Sequence, residues 1–403
     1  MNVPQLRFDG FDGNWETKTI NDLGTIGRGK SKHRPRNDSR LYGTEYPFVQ
    51  TSDIKNAGLF LNSYSQAYSE FGLKQSKLWA RGTLCITIAA NIAETAILEI
   101  EACFPDSIIG FTPDAAKTEA IFVKKYFEFI NPVLQKLSEG VAQSNLNLEK
   151  LASIQFNIPS LSEQQKISSF FSLIEQKIEK QQEKIEKLEQ FKKGMMQKIF
   201  SLELRFKDEN GGEFGEWVFA PISKYIKISS GYAFKSNKFV KEGIPIVRIS
   251  NIDNKVNFNQ GAVYYPETEL INSEFIVTKD SLLIAMSGAT TGKTGIFKGT
   301  NIAYLNQRVG MFIPKENFYY PFVYQLVESP SFKNQLKSML VTGAQPNISS
   351  KQLESIQLHF PTYNEQRKVA DYLFALDSKI EKEKEKLMIL EEQKKGFMQG
   401  MFV

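Results

Sequence analysis

Residues 142–200 return as residues 344–402, at a constant shift of 202 and without a gap, and 25 of the 59 aligned pairs are identical. A repeat of this length dictates a two-part architecture, since what the first half builds the second half can build again. Ala142-Gln143-Ser144-Asn145 returns as Ala344-Gln345-Pro346-Asn347, and Glu163-Gln164-Gln165-Lys166 as Glu365-Gln366-Arg367-Lys368. Lys177-Ile178-Glu179-Lys180 returns as Lys379-Ile380-Glu381-Lys382, and Lys192-Lys193-Gly194 as Lys394-Lys395-Gly396. Upstream the match thins: Leu6-Arg7-Phe8 and Trp15 correspond to Leu204-Arg205-Phe206 and Trp217, and Pro47-Phe48-Val49 to Pro245-Ile246-Val247. Each half is therefore a diverged front followed by a better-kept tail. We expect boundaries at 1–161, 162–200, 201–361 and 362–403.

The tails carry helical heptads. Phe171, Ile174, Ile178, Ile185, Leu188, Met195 and Ile199 fall at the 3.5-residue spacing of a coiled-coil seam, as do Leu373, Leu376, Ile380, Leu387, Leu390, Phe397 and Met401. Lys, Glu and Gln fill the faces between. Such a stripe cannot stay wet, so the two helices are expected to bury it against each other. Gln181 and Glu383, and Lys192 and Lys394, are polar within the seam, where they cost stability and specify register. Ser162 with Gln165 reads as a capping box, and Pro159 ends the preceding structure. Residues 163–200 would span roughly 57 Å as one helix. Gly194 and Gly396 each weaken their helix by about 1 kcal/mol relative to Ala; a close backbone neighbour and a local bend are both open readings.

Composition removes several classes of function. With 41% hydrophobic and 24% charged residues the chain is globular, and no apolar run nears the length of a membrane span. Met1-Asn2-Val3-Pro4-Gln5 has no secretory pattern, so a cytoplasmic, membrane-free protein is expected. Cys85 and Cys103 make no disulfide framework, and His33 and His359 lie too far apart to form a metal site with them. A net charge of +5 permits a nucleic-acid partner without demanding one.

The fronts read as α+β, a mixed sheet flanked by helices. Runs at 84–88, 120–123, 244–249, 281–285 and 309–313 look like strands, and 126–137 and 321–340 look helical. The first front contains Arg28, Lys30, Lys32, Arg34, Arg36 and Arg40 within thirteen residues, opposed only by Asp38 and interrupted by Gly and Pro. A loop of that kind suits phosphate contact, with Arg also able to bind base edges bidentately. Its counterpart in the second front holds Tyr232, Lys235 and Lys238. Gln50 and Asp53, matched by Arg248 and Asn251, follow strands and differ between copies, as base-reading residues would.

Two catalytic motifs fail on inspection. Ser287-Gly288-Ala289-Thr290-Thr291-Gly292-Lys293-Thr294 resembles a phosphate-binding loop but has Ser287 where that loop requires its first Gly. A tight turn presenting Thr291 and Lys293 to phosphate is expected instead. The first-front counterpart, Ala90-Asn91-Ile92-Ala93-Glu94-Thr95, lacks the glycines and the lysine. No Pro-Pro dipeptide supports an adenine-methylating loop, and Asn131-Pro132 reads as a helix start.

Two variable fronts alternating with two heptad tails resemble the specificity (S) subunit of type I restriction–modification systems. The residues that carry the likeness are Pro159 to Ile167 with its copy Pro361 to Val369, Lys192 to Phe200 with its copy Lys394 to Phe402, and the Leu-Arg-Phe…Trp openings. The resemblance implies tandem target recognition domains, each followed by a long helix, with the helices paired antiparallel in pseudo-two-fold symmetry. It implies a non-catalytic chain that reads a bipartite site on double-stranded DNA and docks two modification subunits. Two restriction subunits can join them. Cofactors are expected on those partners rather than here: S-adenosylmethionine, ATP and Mg. A stand-alone DNA-binding regulator, a P-loop ATPase and a coiled-coil adaptor remain the alternatives.

Overall fold

The computed structural model describes residues 3–89, 92–139, 146–258, 261–269, 271–340 and 347–403, apart from the side chains of 136–139. The repeated segments Ala142–Asn145 and Ala344–Pro346, and the turn residues Ala90 and Asn91, lie outside the described residues. The chain forms two compact units. One comprises Met1–Lys184 with Glu383–Val403, the other Ile185–Lys382.

Within the first unit a five-stranded sheet runs in the order Gly24–Arg28, Ile108–Pro113, Leu84–Thr87, Thr95–Leu98, Phe60–Leu61. The central strand Leu84–Thr87 is buried throughout, and its side chains alternate between two cores. Leu84 and Ile86 pack with Phe122, Val123 and Phe127 of the helix Ala120–Glu139, while Cys85 packs with Ala96, Leu98 and Ile108 on the other face. A four-stranded sheet (Gln66–Tyr68, Tyr42–Phe48, Ala102–Cys103, Leu78–Trp79) and the pair Glu16–Thr19 with Gln155–Ile158 complete it.

The second unit repeats this order strand for strand. Its five-stranded sheet is Ile226–Ser230, Val309–Pro314, Leu282–Ala285, Thr294–Ile296, Ile252–Val256. Leu282 and Ile284 face the helical side with Phe322 and Val323, and Leu283 and Ala285 face the other. Each front is thus α+β.

Four local readings change. Residues 120–123 belong to the helix Ala120–Glu139, because Phe122 and Val123 begin the apolar face that Tyr126 and Phe127 continue. Pro132 lies inside that helix rather than at its start. The stretch 321–340 is two helices, Tyr320–Glu328 and Pro330–Leu340, since a proline pushes the residue before it out of the helical region; Ser329 sits at φ −63°, ψ 147°. The strand expected over 244–249 stops at Val247 and passes into a 3₁₀ turn at Ile249–Asn251.

The long helices are Leu161–Phe200 and Tyr363–Met401. The first is capped by Ser160, whose hydroxyl accepts from the Glu163 N–H at 3.4 Å, so the cap sits two residues before the expected Ser162. In the first unit the helices run antiparallel: Phe171 meets Phe402, Glu175 meets Lys394 at 2.6 Å, and Gln181 meets Glu383. In the second unit Lys192 meets Asp377 at 2.5 Å, and Phe200 shares a core with Val369, Ala370 and Leu373. Phe171, Ile178, Ile185, Leu373 and Ile380 are buried, and Ile174, Leu188, Leu376, Leu387 and Leu390 half-buried.

The polar seam residues are partnered through the repeat itself. Gln181 donates to both the carbonyl and the carboxylate of Glu383, its own equivalent 202 residues on, at 2.8 Å each. Lys184 and its equivalent Lys386 both reach the same carboxylate at 3.0 Å. These donors, Gln181 foremost, pull the Glu383 carboxyl down to about 2.

Candidate nucleic-acid interface

The polar residues kept where each long helix starts are internal. Arg7 donates through Nε and Nη2 to the two oxygens of Glu163 at 2.8 Å, and Arg205 does the same to Glu365 at 2.7 and 2.8 Å. Both carboxylates are buried, so the bidentate arginine is what makes their burial tolerable. Gln164 donates to the carbonyls of Pro159 and Lys117 and accepts from Thr118 Oγ1 at 2.7 Å and the Glu119 N–H. Gln366 likewise donates to Pro361 O and accepts from the Tyr319 N–H. Each Glu-Gln pair therefore bolts the start of a long helix to its front, and none of these side chains is free to meet a ligand.

The first front's basic loop is different. Arg28, Lys30, Lys32, Arg34, Arg36 and Arg40 are all exposed. The loop is shaped around Asp38, which accepts from Arg40 through its guanidinium (2.7 Å) and backbone N–H (3.0 Å) and from His33 Nε2 (2.8 Å). Those contacts, the Arg40 guanidinium first, hold the Asp38 carboxyl well below the usual range. Arg40 also lies over the Phe71 ring at 5.1 Å. Arg36 pairs with Asp106 at 2.8 Å, and Arg34 donates to the carbonyls of Ser31 and His33. Lys30 and Lys32 have no side-chain partner among the described residues and present bare ammonium groups.

The residues after the strands do other work. The Asp53 carboxylate accepts from the Gln50 N–H (2.8 Å) and Ser65 Oγ (3.0 Å), fixing the start of the helix Thr51–Asn56. Asn251 is buried, accepts from the Arg248 N–H at 2.9 Å and donates to Asn257 O at 3.0 Å. Asp53 and Asn251 therefore act as capping residues, each spending a side-chain oxygen on the backbone N–H three residues before it. Gln50, bonded to Gln66 at 3.2 Å, is half-buried, and Arg248 is exposed.

In the second front Tyr232 is exposed and packs edge-on to Phe234 at 5.1 Å, with exposed Lys235 beside it; Lys238 is paired with Glu269. The segment 287–294 is a hairpin turn between the antiparallel strands Leu282–Ala285 and Thr294–Ile296, and no helix follows it. That geometry removes the ATP-loop alternative, which needs a helix N-terminus behind the glycines. Gly288 and Gly292 sit at φ +78° and +86°, which side-chain-bearing residues rarely adopt. Thr291 Oγ1 donates back to Gly288 O at 2.6 Å, and Lys293 reaches Asp253 at 3.2 Å. Beneath this turn lies a cleft of about 1000 Å³, lined among others by Gly288, Arg308, Asn347, Ser350 and Lys351. Sequence reasoning passed over Arg308 and Lys351, each a lone cation in a polar stretch; only the fold brings them together.

Among the described residues no group of His, Cys, Asp and Glu could hold a metal, and no helix is long and apolar enough to cross a membrane. Residues 12–190 and 215–392 each match the type I restriction modification DNA specificity domain. The chain belongs to that family. A specificity subunit of the type I restriction enzyme MjaVIII from Methanocaldococcus jannaschii is 31% identical over 274 residues, covering 65% of this chain and 64% of its own length. That of EcoKI from Escherichia coli is 21% identical over 192 residues, 46% of this chain and 41% of its own. The matched segments thus span less than two thirds of these relatives. A solved S subunit of a type I restriction–modification system from M. genitalium has a TM-score of 0.60 at 18% identity, covering 100% of this chain and 99% of that one. The likeness to it is one of fold, and it extends over both specificity domains and both long helices.

Proposed function

We propose that this chain is the DNA-reading subunit of a type I restriction–modification complex. Each front reads one half of a split duplex site, and the helix pair carries two adenine-methylating modification subunits that bind S-adenosylmethionine. A pair of ATP- and Mg-dependent restriction subunits can join the same frame. The chain itself performs no bond-making step.

The observation that carries this reading is the division of labour between the fronts and their tails. Arg7 and Arg205, Glu163 and Glu365, and Gln164 and Gln366, kept in both copies, are consumed in holding helices to fronts, whereas the exposed cations and aromatics of the two fronts differ from copy to copy. Two readers of different half-sites on one shared frame require that pattern. Basic loops would position the protein on phosphates, and exposed polar side chains would read base edges.

Sequencing methylated adenines genome-wide, in cells with and without this chain, tests the proposal. Loss of methylation at one bipartite motif is the expected result. An unchanged methylation map, or methyl transfer by the purified chain alone, would refute it.

A further inference from the structure

Besides Ser230, three chain segments remote in sequence meet at the cleft under the glycine turn of the second front. They are the turn itself (Ser287, Gly288, Ala289), the connector between Ala303–Leu305 and Val309–Pro314 (Gln307, Arg308), and the segment 347–351. The fold holds them firmly. The Met286 N–H donates to Arg308 O at 2.9 Å, the Ile348 N–H to Met286 O at 2.9 Å, and Ser287 bridges to Asn347. The Ser230 and Ser350 hydroxyls bond to each other at 2.7 Å on the wall.

The lining is one-sided in charge. It contains Arg308 and Lys351 and no carboxylate. Both cations are exposed, with no side-chain acceptor among the described residues. Around them stand only neutral donors: Gln307, Asn347, Ser349, Ser350 and the hydroxyl of Ser287, whose oxygen is buried with no partner. Two cations and a set of neutral donors without a carboxylate are what a polyanion backbone requires.

The first front shows that this lining is not a by-product of the fold. There the Ile88 N–H donates to Ser107 O at 2.9 Å, as Met286 does to Arg308, so Ser107 occupies the place of Arg308 and Asp106 that of Gln307. The shift of 202 puts Glu149 in the place of Lys351. The equivalent surface of the first front thus has two carboxylates where the second has a cation and an amide. Its cations come instead from the loop Arg28 to Arg40, whose Arg36 pairs with Asp106 at 2.8 Å.

We propose that this cleft is the phosphodiester-binding site of the second front, with Arg308 and Lys351 as its phosphate ligands. The inference rests on the DNA reading above and adds that the two fronts grip the backbone with different parts of the same fold. In the second, the cleft does what the basic loop does in the first.

The test uses the full chain assembled with its modification subunits, on a duplex carrying the methylated site, comparing wild type with the double variant Arg308→Ala/Lys351→Ala. Log affinity is measured against log salt, and phosphate-ethylation interference is mapped over both half-sites. The expected result is a salt slope shallower by about two, with interference lost over one half-site and kept over the other. The charge-conserving pair Arg308→Lys/Lys351→Arg should keep the wild-type slope, which separates loss of charge from damage to the fold. If wild type binds and the Ala variant keeps its slope and both interference patterns, the cleft assignment is overturned while the DNA reading stands. If the wild-type complex does not bind the duplex at all, the DNA reading fails, and the cleft assignment with it.

Discussion

The two fronts share a strand order, an arginine clamp on the following helix and a glutamine beneath it, yet differ in how each joins its helices. In the first, Lys124, Lys125 and Lys394 surround Glu128 and Glu175; Lys125 is wholly buried and reaches Glu175 at 2.5 Å. In the second, Tyr324, Gln325 and Lys192 occupy the equivalent places, and Gln325 donates to Asp377 at 3.3 Å. A cluster of five charges has become one of three, Lys192, Glu328 and Asp377, with no change of topology. The lesson is that the joint tolerates a change of charge as long as a polar contact to the long helix is kept, Lys125 to Glu175 in the first front and Gln325 to Asp377 in the second. The outer loops, on which nothing else depends, diverge freely.

Breaking the shared part should have the largest effect. Arg7→Ala and Arg205→Ala each strand a buried carboxylate, at a cost of about 3–5 kcal/mol. Urea unfolding should show similar losses for the two, and a clear inequality would mean the clamps are not equivalent. The divergent joints should separate next. Lys125→Met leaves Glu128 and Glu175 short of a buried cation, at about 3 kcal/mol, whereas Gln325→Met removes a neutral donor and should cost about 1 kcal/mol.

Acid sharpens the same contrast. Burial pushes the Glu128 carboxyl up, but its three lysines overcome this and bring it down to about 2. A depressed carboxyl stabilises the fold above its ordinary value near 4.5 and loses that contribution as pH falls towards 2. Glu128→Gln should therefore flatten the stability profile between those values, as read by urea unfolding at each pH. The smallest effect concerns the tail glycines. A Cβ added at Gly194 or Gly396 meets nothing within 4 Å within the chain, so the close-neighbour reading finds no such neighbour among the described residues. Each Gly→Ala change should stabilise the free chain by about 0.5–1 kcal/mol in urea unfolding. Weaker assembly with modification subunits in the same variants would place a partner's backbone at those positions.

Much of the frame was legible beforehand because repetition and heptad spacing are properties of the chain alone. The seam residues from Phe171 to Leu188 and from Leu373 to Leu390 show at 3.5-residue intervals whatever surrounds them. The site was less legible. Asp53 and Asn251 look like surface readers in sequence, and only the backbone N–H groups that they accept reveal them as caps. The run 120–123 reads as a strand because a short apolar stretch has no period of its own, and Phe127 decides it only once the sheet is there to be covered.

By itself the sequence determined the duplication, the helical tails, the polar positions within their seam and the basic loop of the first front. These follow from local pattern and composition. The tertiary structure alone decided which polar groups are spent on the frame and which remain to meet a ligand. Gln181 finds its own repeat equivalent, Glu163 finds Arg7, and Arg308 and Lys351 are left facing one cleft. Pairing between segments far apart in sequence follows from which surfaces the packed cores bring together, and no local pattern encodes it.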